Sequence, residues 1–171
     1  MIERNLVEKG YVGETYVIAK LIRDFNIASV RVPQQFFTYD LITSNNKRLE
    51  VKTAVIIKSA RKHEKYGTYY SDTWEFRRSS RQLHKNASNF VVCVCFKSED
   101  FSEEPKCFII PSDKLRGHSE VFKINANLKN DEKLKFWNYE NNWDAIANSQ
   151  DAEKSQPNKK NSEQFEKKDE R

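Results

Sequence analysis

A chain of 171 residues that is 37% hydrophobic and 32% charged suits one domain with a real core plus a very polar segment. Its longest unbroken apolar run, Phe90 to Phe96, is too short for a helical membrane span, and the charged opening MIERNLVEKG carries no signal peptide, so a reducing cytosol is the expected compartment. Three cysteines without a CxxC pair (Cys93, Cys95, Cys107), and scattered His63, His84 and His118, argue against a disulfide framework or a structural zinc site.

The net charge of +5 is unevenly spread. Between Lys47 and Lys85 stand eleven Lys/Arg against four Asp/Glu, an excess suited to binding a polyanion. From Ser149 onward acidic and basic side chains balance, and Phe165 is the one aromatic residue. Such a stretch cannot bury enough surface to offset its ordering entropy. A folded domain over 1–148 and a disordered or loosely helical tail over 149–171 are the expected division.

In chain order, Leu6, Gly10, Tyr11, Val17, Ile18, Leu21, Ile22 and Phe25 recur at helical spacing and predict a helix from Glu3 to Phe25. Glu14 falls within that apolar stripe, an expensive place for a carboxylate unless it reaches solvent or a partner. The segment ASVRV reads as a strand. After Pro33, FFTYDLIT and RLEVKTAVIIK read as strands joined through the turn SNNK, an antiparallel hairpin. Residues 59–81 are basic and aromatic and predict a loop with a short strand at TWEF, followed by a short helix through SSRQLHKN. FVVCVCF and KCFIIP are buried strands with the cysteines as core residues, and Ser112 caps a turn or short helix in SDKLRG. The aromatic residues of FWNYENNWDAI form a closing element on the core. The fold class is α/β, a sandwich around a central mixed sheet.

The chemistry concentrates on the hairpin. Strand alternation puts Glu50 and Lys52 on one face, about 7 Å apart along the strand. A turn centred near Asn45 or Asn46 brings Asp40 opposite Glu50. Two nearby carboxylates repel, and one is driven toward protonation unless a cation intervenes. Magnesium takes one or two carboxylates and leaves places for water and phosphate oxygens. A lysine beside them can hold the attacking water and offset charge growing on a phosphate. The set suits metal-assisted phosphodiester hydrolysis, with the basic stretch holding the polyanion.

The pattern YDLI, a short turn, then LEVKTA resembles the core of the PD-(D/E)xK, or restriction-endonuclease-like, nuclease superfamily. The resemblance covers about residues 8 to 96 and implies an αβα sandwich around the mixed sheet. Asp40 matches the first acid, Glu50 the second and Lys52 the lysine. Glu14 in GETYVIAKLI matches a helix glutamate that helps bind metal in many members, and the backbone carbonyl of Val51 is an implied further ligand. Gln82, with Arg78 and Arg81 beside it, offers a looser match to a Gln or basic residue of the following helix. Tyr39 stands where the pattern has proline.

The resemblance implies a Mg²⁺-dependent DNA endonuclease, with Mn²⁺ as a substitute. Duplex or branched DNA is the expected partner, a homodimer the expected assembly, and restriction, homing, junction resolution and defence are undecided roles. Arg61, Lys62, Arg77, Arg78 and Arg81 are the expected phosphate contacts. Two alternatives stand beside it: an inactive nucleic-acid-binding module of the same fold, and an RNA-directed nuclease stacking bases on Tyr66, Tyr69, Tyr70 and Trp74. His63 and His84 read as surface residues of the phosphate-binding stretch.

Overall fold

The computed structural model describes residues 2–33, 38–63, 65, 67–78, 88–115, 121–127 and 136–148. Helix α1 spans Ile2–Phe25 and is followed by β1 (Ser29–Arg31), β2 (Leu41–Thr43), β3 (Arg48–Val55), β4 (Ile57–His63) and β5 (Gly67–Arg77). Then come β6 (Phe90–Phe96), β7 (Lys106–Pro111), β8 (Val121–Asn125) and a closing helix α2 (Asp144–Asn148). Short 3₁₀ turns lie at Ser112–Leu115 and Trp137–Tyr139.

Five strands form a mixed sheet in the order β1-β2-β3-β6-β7, in which β3 and β6 run parallel and the other pairs antiparallel. A second, antiparallel sheet has the order β4-β5-β8. Strand β6 explains the layering. All seven residues of FVVCVCF are buried, as in a central strand covered on both faces. Val92, Val94 and Phe96 pack with Val17 and Leu21 of α1. The alternate residues Val91, Cys93 and Cys95 pack with Trp74, Phe76 and Phe122 of the second sheet. The three cysteines are free and buried as expected, and burial pushes the Cys107 thiol up to about 12. Both closing tryptophans pack inward, Trp143 against Phe25 at 6.5 Å and Trp137 against Phe108 at 5.2 Å between ring centroids.

Helix α1 seats on β3 through Gly13, Val17 and Leu21, spaced at successive turns of one face. Tyr11 and Ile22, expected in the buried stripe, fall at its edge and are exposed. A Cβ at Gly13 would collide with Thr53 Oγ1, whereas one at Gly10 would meet nothing. Helix propensity favours alanine over glycine at both sites. Gly10→Ala should therefore stabilise by up to about 1 kcal/mol. Gly13→Ala should destabilise by about 1–3 kcal/mol through overpacking. Urea melts of the two variants check the opposite signs.

Several expectations need correction. RLEVKTAVIIK is two strands: Ile56 donates its N–H to the Phe96 carbonyl at 3.1 Å, and the chain then leaves the first sheet for the second. The basic aromatic region is a long hairpin, not a loop, with β4 and β5 paired from Ile57↔Thr73 to His63↔Gly67. Gly67, at φ 72°, opens β5 in the left-handed region that glycine tolerates. Strand β8 is an addition to the expected elements, and among the described residues of FFTYDLIT the strand is Leu41–Thr43. The expected sandwich has helices on both faces of the sheet; among the described residues one face of the first sheet carries α1 and α2, while its other face is covered by the second sheet. The helix expected through 79–86, and the 149–171 tail, lie outside the described residues. Among the described residues no helix is long and apolar enough to cross a membrane.

Candidate active site

The β2–β3 hairpin sets the geometry. Its register pairs Leu41 with Leu49 and Ile42 with Arg48, so Asp40, one residue further out, comes opposite Glu50. The turn is fixed by Thr43, whose hydroxyl accepts the Lys47 N–H at 2.8 Å, and by Asn46 at φ 60°. Asp40 is tied across the hairpin twice. Its N–H donates to the Leu49 carbonyl at 2.8 Å, and its Oδ2 accepts the Val51 N–H at 2.7 Å. The carboxyl group therefore faces β3 at the level of Glu50 and Val51.

Glu50 is completely buried, on the side of β3 turned to the second sheet. A lone carboxylate there would be costly. Arg78, which directly follows β5, supplies the main counter-charge: Nη2 lies 2.8 Å from Glu50 Oε2, and Nε donates to both carboxylate oxygens at 3.2 and 3.3 Å. Lys52 Nζ stands 3.4 Å from Glu50 Oε1, with the lysine side chain more open than the arginine. Arg78 was expected among the surface phosphate contacts and is instead 6% exposed. Sequence spacing could not show this, because the pairing spans the two sheets.

Glu14 faces the same neighbourhood from α1. Its Oε2 accepts from Arg31 Nε at 2.7 Å, and Arg31 also donates to the Thr15 hydroxyl at 2.5 Å and stacks over the Tyr11 ring. Arg31 is the site residue that sequence reading missed; its alternation within the short strand β1 carried no distinguishing signal.

Burial lifts the Asp40 carboxyl to about 6, with Glu14 and Glu50 adding repulsion and the Val51 N–H and Lys52 opposing. A carboxyl raised in the folded state holds a proton that the unfolded chain releases. Its stabilising protonated form is fully present below the unfolded value of about 4 and is lost as pH rises through about 6, a change of about 3 kcal/mol. Denaturation across that window in metal-free buffer should show a shallower fall for Asp40→Asn than for the wild type. Equal slopes would contradict the assignment.

Asp40 is thus close enough to Glu50 and Glu14 to be repelled by both, and to Lys52 to be attracted, while its Oδ2 accepts the Val51 N–H. Among the described residues no three His, Cys, Asp or Glu side chains form a cage. The two carboxylates that the hairpin register sets opposite each other are Asp40 and Glu50, and magnesium commonly takes one or two carboxylates; the Val51 carbonyl is a ligand that the family resemblance implies. Arg77 is exposed on β5 and paired with Glu75 at 3.4 Å. Arg61 and Lys62 lie in β4, at the positions paired with Tyr69 and Thr68. Gln82, Arg81, Tyr66, His84 and His118 lie outside the described residues. Trp74 is 1% exposed and donates its indole N–H to the Phe96 carbonyl at 2.8 Å, so it is a core residue and no stacking platform.

No family profile matches the chain, and no curated protein matches it. Among solved structures it is similar to a bacterial homing endonuclease, I-Ssp6803I, with a TM-score of 0.57 and 16% identity. The match covers 83% of this chain and 91% of that one. At this identity the likeness shows a shared fold.

Proposed function

We propose that the chain is a metal-dependent DNA endonuclease of the PD-(D/E)xK type. The observation that carries this reading is the hairpin register that sets Asp40 opposite Glu50 with Lys52 on the face of Glu50. The shared fold with a homing endonuclease supports it. Asp40, Glu50 and the Val51 carbonyl would hold Mg²⁺, or Mn²⁺ in its place, with Glu14 at the rim. The oxygen donors fit a hard divalent cation, which would relieve the repulsion that Glu14 and Glu50 add to the burial raising Asp40. When bound, the metal supplies charge for the phosphate and acidifies a water.

The remaining work falls to the protein's own groups. Lys52 Nζ, held by Glu50, positions the attacking water and faces the phosphate charge as it grows. Gln82 and Arg81 take the supporting roles that the family resemblance assigns them. The β4–β5 hairpin would hold the DNA. Among the described residues, Gly67–Asp72 of β5 pairs with β4 alone, a two-stranded ribbon, while Thr73–Arg77 pairs with β8. Lys58 and Lys65 are exposed on it, Tyr70 is 71% exposed, and the strands carry Arg61 and Lys62. A two-stranded ribbon fits the major groove of B-DNA. Cutting both strands of a duplex is simplest with two copies of the site, hence a homodimer.

Lys58→Ala should weaken duplex binding about equally for all sequences and lower the salt slope by about one. Fluorescence anisotropy at several salt concentrations reads both.

A second reading, a binding module without catalysis, draws on one observation: Glu50 is already paired with two cations. Thermal unfolding with and without Mn²⁺ separates the two. A nuclease site should raise the melting temperature in a manner abolished by Asp40→Asn, whereas an inert module should show no metal-linked shift.

A further inference from the structure

Glu50 is the most deeply buried charge of the site, and its chief partner is Arg78 rather than the lysine of its own strand. The guanidinium meets the carboxylate with Nε and Nη2 together. That forked geometry suits a phosphate as well as a carboxylate. We infer that Arg78 is a positioning residue shared in turn by Glu50 and by the substrate phosphate: it holds Glu50 in the metal-free protein and passes to the phosphodiester when a divalent cation takes the carboxylate.

Charge balance is the reason. Among the described residues, Lys52 and Arg78 both contact Glu50, Lys52 also attracts Asp40, and Glu14 pairs with Arg31. A divalent cation added to Asp40 and Glu50 leaves that buried set with an excess of positive charge. Uncompensated charge in a buried place is expensive. It also meets Arg78 in direct competition for Glu50. A DNA phosphate resolves both conflicts, since it brings negative charge and a new partner for the guanidinium. Cation and DNA should therefore strengthen each other's binding, reciprocally.

The inference rests on the nuclease reading, and its test keeps the two apart. Mn²⁺ is titrated calorimetrically into the full-length, DNA-free protein as wild type, Arg78→Gln and Arg78→Lys. Freed of its competitor, Glu50 in Arg78→Gln should bind Mn²⁺ about tenfold more tightly. Arg78→Lys keeps the charge but loses the fork, and should gain about threefold. If Arg78→Gln fails to fold, the lysine variant decides alone. In a second arm, Ca²⁺ should tighten wild-type binding to a duplex about tenfold, and less so for Arg78→Lys.

A purely structural Arg78 would leave Mn²⁺ affinity unchanged or reduced in a folded variant, and that result overturns the inference while sparing the nuclease reading. Absence of Mn²⁺ binding in the wild type and in both variants overturns both.

Discussion

Lys52→Ala should leave the protein folded and able to bind DNA while lowering its Mg²⁺-dependent cleavage rate by about a thousandfold, within the range that a positioned proton-transfer or charge-stabilising group supplies. The separation follows from how Glu50 is held. Arg78 contacts both of its carboxylate oxygens, so removing the lysine at 3.4 Å still leaves the buried acid paired. Lys52 is also the more exposed of the two cations and contributes less to packing. Single-turnover cleavage rates, set beside anisotropy binding curves for the same duplex, read the two effects independently. A rate within about tenfold of wild type would remove Lys52 from the chemistry.

Glu50→Ala should be the most damaging single change to stability, costing about 3–5 kcal/mol in metal-free buffer. It strands the Arg78 guanidinium, 6% exposed, without its carboxylate. Against a total stability of about 5–15 kcal/mol, that is a fifth or more of the margin. Replacing both partners, Glu50→Leu with Arg78→Leu, should recover much of the loss, because the penalty lies in the unpaired charge rather than in the absent bond. Urea denaturation of the two single variants and the double variant gives the coupling directly. Additive losses would mean that the pair is not the unit the geometry describes.

The parts of this architecture that sequence made legible are those governed by local periodicity. Helix α1 shows in the spacing of Val17 and Leu21, β6 in seven consecutive apolar residues, and the β2–β3 register in the turn between Thr43 and Lys47. Because that turn is short, its centre alone is enough to set Asp40 opposite Glu50. What sequence concealed depends on contacts between elements. The break at Ile56 is made by a hydrogen bond to Phe96, a residue forty positions away that nothing in RLEVKTAVIIK announces. The β4–β5 hairpin was hidden by its own composition, since lysine, arginine and serine on an exposed ribbon look like a loop when no buried face enforces alternation. Arg78 read as one more basic residue in a basic stretch. Its burial follows from the second sheet's packing over Glu50, which the expected loop at 59–81 did not contain.

The most direct test of the central claim is incubation of the purified protein with supercoiled plasmid carrying a diverse insert library, with Mg²⁺ and in parallel with a chelator. Wild-type protein should convert the plasmid to nicked or linear forms only with the metal, and Asp40→Asn should not, although it is folded and binds the same DNA. Plasmid left intact by the wild type with Mg²⁺ or Mn²⁺, across inserts and under conditions where it binds, would contradict the account; so would equal cleavage by Asp40→Asn.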